Sequence, residues 1–127
     1  MFYFEEFMNE SKDSEYIKLQ RCQMDTVIDK YDFNSGSGQN GNGVYAFRYG
    51  DAPMKRYYSS RGEHTYTFKI KKEYVYDLST SKLDYWKIQE FIYNNPKYKC
   101  FIFKHKGLGI PSSKEYLITD PEIIEMM

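Results

Sequence analysis

Cysteine is scarce in this chain. Only Cys22 and Cys100 are present, too few for a disulfide framework, and their strand-like neighbours point to buried, reduced thiols. Net charge is also missing, because 18 basic residues balance 18 acidic ones, so bulk electrostatics call for neither a nucleic-acid coat nor membrane adhesion. No run of 18 apolar residues occurs, and Phe2-Tyr3-Phe4 gives way at once to Glu5-Glu6 rather than to a signal-like apolar core. A soluble, cytoplasmic protein that spans no membrane is expected. The two histidines, His64 and His105, lack Cys or Asp ligands at usable spacing, which argues against a metal site. Aromatic residues are abundant instead: 14 Tyr and 9 Phe in 127 residues suit one β-rich domain with a single core.

The apolar spacing sets out an order of elements. Phe4, Phe7 and Met8 allow a short helix or capping strand in the first ten residues. A first core strand is expected over 16–22, then a helix capped by Asp25 and running to about Tyr31, with Val27, Ile28 and Tyr31 facing inward. Residues 34–43 carry no apolar side chain and read as a surface loop. A strand follows over 44–48, a helical turn or two over 52–58 with Pro53 in its first turn, and an alternating strand over 66–71. Leu83, Trp86, Phe91 and Ile92 fit one face of a helix over 81–93, ended by Asn94-Asn95-Pro96. Cys100 to Phe103 is a continuous apolar strand, 106–113 a glycine loop, and 116–119 the closing strand. Strands with short helices and no regular βαβ alternation imply an α+β fold with a mostly antiparallel, split sheet.

Glu115 is the residue with a chemical question attached. It follows the loop broken by Gly107, Gly109 and Pro111 and precedes the β-rich run Tyr116-Leu117-Ile118. A carboxylate delivered to a strand mouth by a loop is well placed to meet a ligand, and the plainer alternative is a polar residue opening an exposed strand. Glu115-Tyr116-Leu117-Ile118 acquires company in Gly41-Asn42-Gly43-Val44-Tyr45-Ala46-Phe47 and in Lys55-Arg56-Tyr57 a dozen residues later. In that order these segments resemble the signature of the ADP-ribosyltransferase superfamily, in the branch of the poly(ADP-ribose) polymerases and small phage and toxin enzymes. The stretch Tyr66 to Asp77, with its ending Val75-Tyr76-Asp77-Leu78, resembles the family's middle strand, and Asp120-Pro121-Glu122-Ile123-Ile124 resembles its usual closing segment.

The resemblance implies split antiparallel β-sheets flanked by short helices, packed face to face, with NAD as substrate in the cleft between them. It implies Glu115 as the catalytic group that accepts a ribose hydrogen bond and stabilises the oxocarbenium-like transition state. Tyr45 and Tyr57 match positions that frame the nicotinamide, with Tyr58 the alternative to Tyr57 because the spacing is slightly long. Core packing is the plainer role for each. Gly41 and Gly43 would admit the backbone close to the cofactor. Leu19-Gln20-Arg21-Cys22 stands where the branch has Leu-aromatic-His-Gly, so Gln20 and Arg21 would line the NAD site. Arg21 there resembles the Arg-Ser-Glu toxins, in which the arginine holds ribose or phosphate. Ser113 lies two residues before Glu115, where arginine-modifying members carry Glu or Gln.

The implied activity is transfer of a single ADP-ribose by a monomer to a host macromolecule, protein first and nucleic acid next. The alternatives are a catalytically weak nucleotide-binding or interaction module and an NAD glycohydrolase. The loop carrying Leu108, Ile110 and Ser113 would face the acceptor. His105, with Lys104, Lys106 and Lys114, reads as part of an ordinary solvated loop, and a Cys100–His105 nucleophile pair is disfavoured because Cys100 reads as buried.

Overall fold

The computed structural model describes residues 15–59, 64–105 and 113–127. Its strands are β1 (Tyr16–Gln23), β2 (Gly36–Gly38), β3 (Gly41–Arg48), β4 (His64–Lys71), β5 (Val75–Asp77), β6 (Cys100–Lys104), β7 (Lys114–Ile118) and β8 (Glu125–Met126), with helices α1 (Ala52–Ser59) and α2 (Tyr85–Asn94). Seven strands follow the order β5-β6-β7-β3-β1-β4-β8, and β2 pairs with β3 alone. The fold is mixed α+β. All pairings are antiparallel except β5 with β6.

β3 belongs to both halves of the sheet. Its residues Val44, Tyr45 and Ala46 pair with Ile118, Leu117 and Tyr116 of β7, whereas Phe47 and Arg48 pair with Gln20 and Leu19 of β1. The main core gathers one face from each half: Leu19, Phe68 and Ile70 from β1 and β4 meet Cys100, Ile102, Tyr116 and Ile118 from β6 and β7. Period-two alternation sends the neighbouring residues to the other face. There Phe101, Phe103 and Leu117 pack beneath α2 through Ile88, and Cys22 and Phe47 pack beneath α1 through Met54. Cys100 to Phe103 is an unbroken apolar run because β6 is covered on both faces.

α2 begins where Asp84 accepts a hydrogen bond from the Lys87 amide at 2.9 Å and stops at Asn95, before Pro96. Leu83 therefore precedes the helix, and Trp86, expected on the inner face, is 78% exposed. Of its apolar residues, Ile88, Phe91 and Ile92 turn inward. The helix expected from Asp25 to Tyr31 is a short 3-10 turn over Lys30–Asp32. Asp29 accepts from the Tyr31 amide at 2.8 Å while Asp32 accepts from the Asp29 amide at 3.0 Å. This reciprocal capping closes a tight turn and leaves Ile28 and Tyr31 in solvent.

The polar stretch 34–43 is no loop but the β2–β3 hairpin. The middle strand breaks at a 3-10 turn over Lys72–Tyr74, which carries the chain from β4 in one half to β5 in the other. Cys22 and Cys100 are free and buried, as expected. The first ten residues and 106–112 lie outside the described residues. Among the described residues no helix is long and apolar enough to cross a membrane.

Candidate active site

Glu115 stands opposite Phe103 of β6 and alternates with Leu117 onto the face that carries α1 and α2. It is half-buried. The last turn of α1 brings Tyr58 over it, and the Tyr58 hydroxyl donates to Glu115 Oε2 at 2.9 Å. Tyr58 is itself seated on Phe47, ring over ring at 6.0 Å and 9°. Tyr57 stands edge-on to Tyr58 at 5.1 Å and to the His105 ring at 5.2 Å.

His105 completes the group. Its Nε2 lies 3.4 Å from the Tyr58 hydroxyl, and its amide donates to the Ser113 carbonyl at 3.1 Å, holding the ring at the end of β6. Tyr58 has one proton, directed to Glu115, so its oxygen can only accept from His105, which places the imidazole proton on Nε2. Nδ1 is buried without a hydrogen-bond partner among the described residues. Burial pushes the Glu115 carboxyl above the ordinary carboxylate value, while the Tyr58 hydrogen bond and the field of His105 pull it down. The product is a half-buried carboxyl group held by a tyrosine hydroxyl beside Tyr57 and His105, an arrangement that could interact with a positive charge.

The other expected site residues divide. Tyr45 shares this face of the sheet, next to β7, but its hydroxyl is committed to the hairpin: it donates to the Gly41 carbonyl at 2.5 Å and accepts from the Asn40 amide at 3.3 Å. Burial raises its pKa to about 12. Gly43 meets β7 rather than open space, since a Cβ there would lie 2.5 Å from the Ile118 carbonyl oxygen. Gln20 is buried, donates to Thr67 Oγ1 at 3.1 Å, and lines a separate cleft beside Tyr49 and Lys55.

Arg21 alternates with Leu19 onto the main-core face, away from Glu115. It fills the point where β1 and β3 part. Its guanidinium donates to the carbonyls of Tyr45 at 2.7 Å and Asn34 at 2.9 Å, and its Nε to Gln23 Oε1 at 3.0 Å. The structure thus brings Glu115, Tyr57 and Tyr58 together with Tyr45 on the adjoining strand, and sets Arg21 and Gln20 apart from them.

His105 is the member that the sequence reading placed in a solvated loop. The signal available was its alternation with Phe101 and Phe103, which assigns it to the Glu115 face. Ser113, expected in an acceptor-facing loop, is 1% exposed. The Cys100–His105 pair is excluded by that same alternation: Cys100 lies wholly within the main core, and burial raises its thiol pKa far above the ordinary value. Among the described residues no group of His, Cys, Asp or Glu could hold a metal ion. No protein-family model, curated protein or solved structure matches the chain.

Proposed function

We propose that this protein is a mono-ADP-ribosyltransferase that cleaves NAD with Glu115 as its catalytic carboxylate, working as a cytoplasmic monomer on a macromolecular acceptor. The observation that carries this reading is the half-buried Glu115 hydrogen-bonded to Tyr58 beside the rings of Tyr57 and His105. A supporting one is that two of the segments behind the family resemblance are neighbours in the sheet, on β7 and β3, while the third, Lys55-Arg56-Tyr57, lies on α1 beside Glu115's partner Tyr58. On this reading the sheet that divides at β3 is the split sheet of that superfamily.

In the reaction the bond between ribose C1′ and the nicotinamide nitrogen breaks, and its electron pair leaves with nicotinamide. Glu115 stabilises the positive charge left on the ribose. The acceptor's nucleophilic atom then bonds to C1′ and releases its proton to water. Tyr57 offers a ring against which the leaving nicotinamide can stack.

A second reading has its own support. The guanidinium of Arg21 is engaged by carbonyls of its own chain, which favours a nucleotide-binding module of low turnover. Incubation with labelled NAD and a cell lysate separates the possibilities. Label in a discrete acceptor supports transfer, free ADP-ribose supports glycohydrolase activity, and intact NAD overturns both. Glu115→Gln is expected to cut turnover about 100-fold, as for loss of one electrostatic stabiliser, while leaving NAD affinity nearly unchanged.

A further inference from the structure

On the α1 side of β1 and β4 the sheet carries a row of alternating basic and aromatic residues that the proposed reaction does not use. Lys18 and Lys69 are directly opposed cross-strand neighbours, and Lys71 stands opposite Tyr16 in the same ladder. Two ammonium groups facing each other across a strand pair repel. Each is drawn onto a ring instead, Lys18 Nζ 4.6 Å from the Tyr49 centroid and Lys69 Nζ 4.3 Å from that of Tyr16. None of Lys18, Lys55, Lys69 and Lys71 makes an ion pair among the described residues.

The row runs into a cleft of about 230 Å³. Tyr49, 55% exposed, forms one wall. Gln20, only 7% exposed and donating its Nε2 to Thr67 Oγ1, contributes to the lining, and Lys55 and Asp51 border it. The volume is small beside the roughly 300–1,000 Å³ of sites that hold whole drug-sized ligands, which suits one planar ring rather than a dinucleotide.

We propose that this face binds single-stranded nucleic acid, with phosphates along Lys18, Lys55, Lys69 and Lys71 and one base stacked on Tyr49 within hydrogen-bonding reach of Gln20. Repeated cations interleaved with rings are what a sequence-tolerant single-strand surface requires. Asp51 at the cleft and Glu125 opposite Lys69 repel phosphate and carboxylate alike, so what favours nucleic acid over an acidic peptide is the exposed Tyr49 ring, on which a base can stack. The inference is independent of NAD cleavage.

Fluorescence anisotropy with labelled oligo-dT and oligo-rU tests it. Neutralising about four phosphates gives a slope of about −3 in log K against log salt, equivalent to about 50-fold weaker binding between 50 and 200 mM salt. Lys18→Gln with Lys69→Gln is expected to halve that slope. Tyr49→Leu is expected to weaken binding about 10-fold and Tyr49→Phe to retain it, the stacking ring being kept. Far-ultraviolet circular dichroism identifies the variants that remain folded, and Tyr49→Phe keeps the comparison decisive where Tyr49→Leu does not fold. No binding at 50 mM salt, full affinity in the folded lysine variant, or equal displacement by polyglutamate would overturn the proposal.

Discussion

Replacing Tyr58 by Phe removes one oxygen and leaves the ring on Phe47, so the variant reports on the hydroxyl, whose short bond goes to Glu115 and whose longer one comes from His105. A bond to an ionised group contributes about 1.5–3 kcal/mol. Because Glu115 is only half-buried, we expect the lower end, about 1.5 kcal/mol at pH 7, or roughly 5 °C in Tm for a domain of this size. The sign with pH follows from the charge. Tyr58 lowers the Glu115 pKa in the folded state, so its contribution is greatest with the carboxylate ionised. It falls as pH drops through the titration of Glu115, which burial places above the ordinary carboxylate value. Below that titration the bond is neutral and contributes about 0.5–1 kcal/mol. Urea denaturation of wild type and Tyr58→Phe across this range measures the change, and the same pair in a Glu115→Gln background should show the smaller cost at every pH. An equal loss at all pH values in the Glu115 background would refute an ionised partner for Tyr58.

Gly43→Ala should cost about 2–4 kcal/mol in thermal melts, since the new methyl group meets the Ile118 carbonyl of a packed strand. Arg21→Lys should lower stability more than any NAD affinity, because the forked donor serves the carbonyls of Tyr45 and Asn34; differential scanning calorimetry with and without NAD distinguishes the two. Cys22 and Cys100 should both resist a thiol-specific reagent in the native protein and react together on unfolding. Emission from Trp86, the single tryptophan, should shift little on denaturation, given its exposure in the native state.

Much of the fold was legible where side chains report burial. The alternation of Tyr66 to Lys71, the apolar run of Cys100 to Phe103 and the short Ala52 helix all stand near their expected bounds. The reading failed where backbone or distant partners decide. The β2–β3 hairpin contains no apolar residue before Val44, yet Gly38 lies so close to the Tyr45 ring that a Cβ would be 2.4 Å from it. The hairpin is thus stabilised by an aromatic ring that a local reading assigns elsewhere. Trp86 misled by its hydrophobicity, since a helix with one covered face leaves room for only part of its apolar set. In the site, Glu115 and the tyrosine pair could be picked out from their segments, whereas Arg21 could not be assigned to the β1–β3 divergence without tertiary geometry, because spacing along a strand does not say which neighbour leaves.

The double membership of β3 also has a temporal consequence. Its pairing with β1 joins residues made early, but its pairing with β7 joins Val44 to Ile118 across most of the described chain. Neither half of the sheet can bury its main-core face without the other, as Leu19 and Ile118 share one cluster. No N-terminal portion of this domain gains a closed core until β7 has emerged from the ribosome, so folding should follow synthesis of residues 114–118 and proceed as one cooperative step. Amide hydrogen exchange would register this as a shared, slow opening of β3, β1 and β7.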